Sequence, residues 1–586
     1  MRVPYPRTPH LPWSPGAAAD DVRAGDLTGL AGREVVVTEK LDGENTTLYR
    51  NGLHARSLDS AHHPSRTWIK SLHSRIASAI PPGWRVCGEN LFARHSIDYP
   101  GLESWFYAFS VWDGEHCLDW DTTVRRTRRL GVPVPPVLWR GIFDERALRA
   151  LRVDQDRCEG YVVRTVDGFH RAEFPRRVAK WVRGGHVRTD GHWMLAPVVH
   201  NGLSPAAALW EVRSGGAPDV PALRAAVGLA DTDPGEPGQP ERVQAEVADA
   251  AGQLDLLGRT GDARLAGVLA VLCHRQPRSW LAPRLVAPLG MRLARQVADL
   301  VGLHTHLWRD FPDQERGAGL ARLAGAADLG VLHAVAAAVL CGRQDAEAAA
   351  ARDQVEWSAL HAEDAGLLGE DPLEPLRTGM RQDLGGHHPD VADRCWAQAR
   401  EAFAQGRITT TAEALALTWR WRSGAFPRLV VTVGPAGSGK STFARGLPGV
   451  DAVVCLDALR ESRGSRADQR ANPDVLREGL HRLDALLAAG ASVVWDATAL
   501  TPHQRALVHA VADRREALTT HAVLLVTEEE LVRRNATRAH PVPPGVLAAQ
   551  LRRFSPPWPG QAHRTWYLDA TGQVQDTAGE LGREQG

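Results

Sequence analysis

Two groups of residues in this chain have the types and spacing for phosphate chemistry. The first is Gly434-Pro-Ala-Gly437-Ser438-Gly439-Lys440-Ser441-Thr442, between the β-branched run Leu429–Val433 and a helix-compatible run from Phe443. Glycines at this spacing let the backbone curl so that its N–H groups face inward on an anion. The following helix turns its positive end toward the same anion. Lys440 is then expected to reach the β- and γ-phosphates of ATP, with Ser441 holding Mg²⁺. A plain glycine-rich turn is the alternative, and the flanking strand and helix argue against it.

The second group is Glu39-Lys40-Leu41-Asp42-Gly43, at the end of the strand-like run Glu34–Lys40. An amine with an ordinary pKa near ~10.4 is mostly protonated and does not attack phosphorus. Neighbouring cations, a metal ion or desolvation would lower that pKa and allow a covalent intermediate. Taken alone, the pattern favours an exposed strand-end lysine. Four later segments change that reading. Trp84–Gly88 leads to Glu89, and Trp105–Asp113 is an aromatic strand containing Phe106, Tyr107 and Phe109. Cys158-Glu159-Gly160 opens another strand, and Arg177–Arg183 is a basic strand containing Lys180.

This ordered series, over residues 1–190, resembles the covalent nucleotidyltransferase superfamily of ATP-dependent RNA and DNA ligases and capping enzymes, and RNA ligases most of all. The resemblance implies that Lys40 attacks the α-phosphate of ATP to give lysyl-AMP. It also implies that Glu39 lies near the adenine and that Phe109 stacks on it. Arg56 and Glu89 would meet the ribose and phosphate side. Glu159 would serve the metal (Mg²⁺ or Mn²⁺) or the lysine, and Lys180 would neutralise the α-phosphate. Asp42 and Gly43 complete the nucleotide-binding set. Ligases commonly carry two lysines in the last segment; here Val178 stands at the first, with Arg177 and Arg183 nearby. In the Pro- and Gly-rich stretch 1–30, Arg7 and His10 have the chemistry to touch phosphate, but a surface loop is the favoured reading.

After the glycine-rich loop, Ala452–Leu456 reads as a strand that delivers Asp457 to its carboxyl edge, where open α/β sheets place ligands. Asp457 suits a general base for a hydroxyl proton, and Arg460 a phosphate of the acceptor. A helix-capping Asp is the plainer alternative. Asp496 ends a further strand and suits the Mg²⁺ shell. Ala522–Val526 reads as a third strand. Arg534 and Arg538 are spaced to share one face of a helix over 531–538, against the alternative of a solvated basic helix. The set is similar to the phage-type polynucleotide 5′-kinase over residues 426–575. That resemblance implies transfer of the γ-phosphate of ATP to a polynucleotide 5′-hydroxyl. The 3′-phosphatase signature D-x-D-x-T is not in the sequence, so the 3′ end would arrive as a hydroxyl or a separate enzyme would prepare it.

The elements that must position these groups span 586 residues, which calls for several domains. We expect a ligase domain with antiparallel sheets over 1–190, a mostly α-helical middle over 191–425, and a P-loop kinase with a parallel sheet over 426–586. Together they make a multidomain α+β and α/β chain. Helical spacing marks Val243–Leu256, Leu265–Cys273, Leu293–Val301 and Leu320–Leu340, and Asp231–Pro240 reads as a linker. Cys273-His274 and His304-Thr-His306 read as core or solvated histidines, and Gly385–Pro389 as a loop. Lys+Arg and Asp+Glu number 69 each, so any nucleic-acid footprint must be local. Seven scattered cysteines without a C-x-x-C pair argue for a reducing, cytoplasmic setting and against a disulfide framework. No run of about eighteen apolar residues calls for a membrane span. The combined expectation is an enzyme that phosphorylates 5′-OH ends and joins 5′-PO₄ to 3′-OH ends of RNA, or alternatively DNA. Two rivals are a small-molecule kinase fused to another nucleotidyltransferase and an ATP-regulated nucleic-acid-binding protein.

Overall fold

The computed structural model describes residues 2–19, 21–58, 63–154, 157–185, 197–229, 239–310, 313–463, 472–538 and 540–582. The expected boundary at 190 and most of the linker over 231–240 lie outside the described residues. The chain divides into two compact units, 1–233 with 258–265, and 234–257 with 266–586.

In the first unit the strands are β1 (Glu34–Lys40), β2 (Glu44–Tyr49), β3 (Gly52–Ala55), β4 (Trp84–Asn90), β5 (Phe106–Asp113), β6 (His116–Cys117), β7 (Val137–Ile142), β8 (Gly160–Thr165), β9 (Phe169–His170) and β10 (Val178–Val182). They form two antiparallel sheets, ordered β10-β8-β1-β7 and β3-β2-β4-β5-β6-β9. Three successive valines, Val35 to Val37, are fully buried, so β1 is covered on both faces, as a central strand must be. The Asn51-Gly52 turn joins β2 to β3 as a hairpin. The described residues between 2 and 33 form no helix or extended strand but are not a free loop. Lys180 N–H donates to the Pro9 carbonyl (2.9 Å), and Leu11 N–H donates to the Lys180 carbonyl (2.8 Å). The segment is thus laid along β10. This corrects the surface-loop expectation for His10, which is buried, while Arg7 is exposed as expected.

The second unit begins with helices. Gln239–Leu256, Met291–Leu303 and the second part of Gly261–Cys273 fall where the spacing predicts them. The Leu320–Leu340 stretch is corrected to parts of two helices, Asp313–Ala324 and Leu329–Leu340, set at 104°. Gly325-Ala-Ala-Asp328 makes the break, where the Asp328 carboxylate accepts the Val331 N–H and caps the second helix. No single helix among the described residues is long and apolar enough to cross a membrane.

The same unit ends in a six-stranded sheet of β11 (Arg428–Val433), β12 (Ala452–Cys455), β13 (Ser492–Asp496), β14 (Leu518–Leu524), β15 (Arg564–Leu568) and β16 (Val574–Ala578), in the order β12-β13-β11-β14-β15-β16. All neighbours are parallel except β15 and β16. The chain leaves β11 for strands on both of its sides, and open sheets bind ligands at such a switch point. The glycine-rich loop sits there.

Candidate functional sites

A cleft in the first unit collects residues from both sheets. Glu39 and Lys40 come from the end of β1, Arg56 follows β3, Glu89 lies on β4, Phe109 on β5 and Lys180 on β10. Residues far apart in the sequence meet because β1 pairs with β8 so that Lys40 stands opposite Gly160. That register brings the Glu159 carboxylate to the Lys40 ammonium, and the two form a close ion pair. Gly160 is required at this point: a Cβ there would lie 2.0 Å from the Trp181 carbonyl of β10.

Electrostatics corrects one expectation. Burial pulls the Lys40 pKa down, but the charges of Glu159, Glu89 and Asp42 overcome it and hold the amine above its ordinary range. Lys40 is therefore an ammonium, not the un-ionised amine the chemistry requires. Burial pushes Glu89 up to about 8 despite the opposing charge of Lys40. Glu39 is likewise raised by burial. Lys180 is lowered, first by burial and then by the charge of Lys40.

The three candidate aromatics of β5 separate cleanly. Phe106 and Tyr107 are buried in two different cores, whereas Phe109 faces the cleft. The Phe109 ring meets Tyr5 edge-on at 5.1 Å, and its carbonyl accepts from Arg164. Asp42 and Gly43 do not line the cleft. Asp42 is buried, and its carboxylate accepts the Ser96 and Ile97 N–H groups at 2.9 and 3.0 Å. A Cβ on Gly43 would lie 2.5 Å from the Asn90 carbonyl. Both still act on the cleft: the Asp42 charge is felt at Lys40, and the Gly43 backbone N–H is hydrogen-bonded to Glu89. Val178 is buried in the core, and Arg177 is tied to Glu173 at 2.5 Å. Neither Arg177 nor Arg183 lines the cleft, so Lys180 is the cation that β10 presents there. Sequence reasoning gave no role to Arg164 or Tyr5 in this cleft, because both reach it through contacts with residues far away in the sequence.

In the second unit Gly437 and Gly439 have φ of 86° and 106°, the left-handed backbone that curls the loop between β11 and the helix Lys440–Gly446. Gly434 and Ser438 are buried at its base, and Ser441 and Thr442 are exposed on the helix's first turn. Lys440 is buried and donates to the Pro435 carbonyl of its own loop at 2.7 Å. Burial lowers its pKa to about 8; Arg538 pushes the same way, and Asp496 and Asp457 oppose. Asp496 is buried at the end of β13. Asp457 is not on the strand: β12 stops at Cys455, and Asp457 lies in the first turn of the helix Leu456–Ser462, where its carboxylate accepts from Arg460. Arg534 reaches over the loop, with Nη1 3.5 Å from the Ser438 carbonyl. The predicted helix over 531–538 is corrected to Glu528–Ala536. Asn535 donates to the Val542 carbonyl and accepts the Val542 N–H, which turns the chain before Arg538.

His304 is buried against the Leu300 and Val301 carbonyls, a core histidine. Among the described residues no group of three or more His, Cys, Asp or Glu side chains forms a metal cage. The hard oxygen donors Glu159, Ser441 and Asp496 nevertheless suit Mg²⁺, which commonly takes one or two protein oxygens and completes its shell with phosphate and water.

Residues 33–182 match the RNA ligase family model, and residues 429–557 match an AAA domain model. No curated protein matches the chain. Among solved structures, a Naegleria gruberi RNA ligase with ATP and Mn is 17% identical, covers 29% of this chain and 56% of its own, and has a TM-score of 0.22. A sugar kinase from Janibacter sp. is 25% identical over 25% of this chain and 86% of its own, with a TM-score of 0.21. A gluconokinase from Sinorhizobium meliloti is 24% identical over 25% and 83%, with a TM-score of 0.20. The chain thus spans little more than half the length of the Naegleria ligase.

Proposed function

We propose that this chain, which joins an RNA ligase domain to a P-loop kinase-like domain, both phosphorylates and seals broken RNA. The functional parts are taken as 1–190 for sealing, 191–425 for the helical middle, and 426–586 for phosphorylation. One observation carries the reading: residues from eight separate stretches of the sequence, from Tyr5 to Lys180, converge on a single cleft around Lys40.

In that cleft Lys40 takes AMP from ATP, passes it to an RNA 5′-phosphate, and the 3′-hydroxyl then displaces AMP. Phe109 and Glu39 face the adenine, and Arg56 and Lys180 offset phosphate charge. Lys40 must first lose the proton that its carboxylates stabilise. Mg²⁺ held by Glu159 would supply positive charge that weakens this stabilisation. In the second unit the loop 434–442 cradles ATP, Lys440 exchanges the Pro435 carbonyl for phosphate oxygens, and Arg534 and Arg538 clamp the transferring group. Asp457 takes the proton of the 5′-hydroxyl and Arg460 holds a phosphate of the acceptor. Ser441 and Asp496 are the groups to hold Mg²⁺ there.

Lys40→Ala is expected to abolish covalent labelling by α-labelled ATP and to spare 5′ phosphorylation of RNA; Asp457→Ala is expected to do the reverse. Labelled-ATP assays with a 5′-OH oligonucleotide and with small-molecule acceptors check both halves. Defects that always travel together would refute two sites, and phosphorylation of the small molecules alone would refute the polynucleotide kinase.

A further inference from the structure

The N-terminal segment Pro4-Tyr5-Pro6-Arg7-Thr8-Pro9 crosses one wall of the adenylation cleft, held at both ends. Before Arg7, Tyr5 packs edge-on against Phe109 at 5.1 Å and against Phe174 at 5.4 Å. After it, the Pro9 carbonyl accepts the Lys180 N–H at 2.9 Å. Three prolines in six residues restrict the backbone between these anchors. Arg7 is thus presented to the cleft by a stiff strap.

Several guanidinium groups of this unit are matched to carboxylates: Arg66 with Glu44, Arg140 with Glu34 and Asp121, Arg177 with Glu173. Among the described residues, Arg7, Arg56 and Lys180 line the cleft without an ion pair. Unspent cations gathered beside a nucleophile are the complement of a polyphosphate.

We propose that Arg7 binds the β- and γ-phosphates of ATP and stabilises pyrophosphate as it leaves, a role that rests on the ligase reading above. Phe109 and Lys180 already answer to the adenine and the α-phosphate, and Arg56 to the ribose and phosphate side, so the two outer phosphates are the part to which no residue has been assigned in particular. In the step, a bond forms from Lys40 Nζ to the α-phosphorus. The P–O bond to the β-phosphate breaks, pyrophosphate departs with the electron pair, and the Nζ proton passes to solvent. Negative charge grows on the departing group, where a bidentate guanidinium gains most.

The test uses full-length protein carrying Arg7→Ala or Arg7→Lys. Charged hydrogen bonds of this kind suggest an Arg7→Ala loss of about 10- to 100-fold in the rate of Lys40–AMP formation. The pyrophosphate concentration needed to discharge the adduct should rise by a similar factor. Sealing of a chemically pre-adenylated RNA strand, which bypasses ATP, should stay unchanged, and Arg7→Lys should recover part of the loss. Unchanged adduct formation in Arg7→Ala overturns the proposal, as does an equal loss in sealing the pre-adenylated strand, which would assign Arg7 to RNA. A native protein that forms no adduct overturns the ligase reading itself, and this proposal with it.

Discussion

At Lys40 burial and the surrounding carboxylates act in opposite directions, and the carboxylates prevail. The residue types of this site are legible in the sequence; their protonation is not, because it depends on Glu89 and Glu159 arriving from other strands. Glu89 carries a measurable consequence. An unfolded chain releases a glutamate proton near ~4.3, whereas the folded chain holds it up to about 8. Between those values only the folded state keeps the proton. Glu89 therefore contributes stability at low pH that is lost as pH rises toward its folded pKa. Glu89→Gln cannot ionise and removes the slope. Relative to native protein, the variant should gain about 1–3 kcal/mol between pH 5 and pH 8, or roughly 2–4 °C in melting temperature per kcal/mol. Thermal melts across that range check it; a difference that does not change with pH would show that Glu89 ionises normally.

Elements with strong local patterns were readable, and those defined by distant partners were not. The strands β1 and β4 fall on the residues their apolar runs predict. The strand β14 starts earlier than Ala522, because Thr519, Thr520 and His521 are buried despite their polar side chains, with His521 hydrogen-bonded to His509 at 2.8 Å. The N-terminal strap looks irregular because its order comes from β10, well over a hundred residues later. The glycine-rich loop is the opposite case, since its conformation is written into its own glycines. Gly439 has φ of 106°, and an added Cβ would stand 3.5 Å from Leu524, an ordinary contact. The penalty for Gly439→Ala is therefore conformational, about 1–2 kcal/mol for a left-handed residue. It is spent on distorting the cradle just before Lys440. Transfer of γ-label to a 5′-OH strand should fall at least ~100-fold, while α-label capture at Lys40 is unchanged. Full phosphorylation by this variant would place the phosphates somewhere other than this loop.

Across the whole molecule, an RNA ligase domain and a P-loop kinase-like domain share one chain, and in the proposed function the second makes the 5′-phosphates that the first consumes. Tethering raises the local concentration of one active site as seen from the other, commonly to the millimolar range when the connection permits both to engage. The point variants allow this to be tested without cutting a chain whose two units interleave in sequence at 234–265. An equimolar mixture of Lys40→Ala and Asp457→Ala proteins retains one working site of each kind, but on different molecules. With labelled 5′-OH RNA and an excess of unlabelled 5′-phosphorylated RNA as competitor, the mixture must release the healed strand into the competitor pool. The intact chain can recapture it first. Sealing of the labelled strand should therefore be several-fold faster for the intact chain at nanomolar protein, and the gap should close as protein concentration rises toward the effective concentration. Equal rates at every concentration would mean that the two sites share a chain without sharing a substrate.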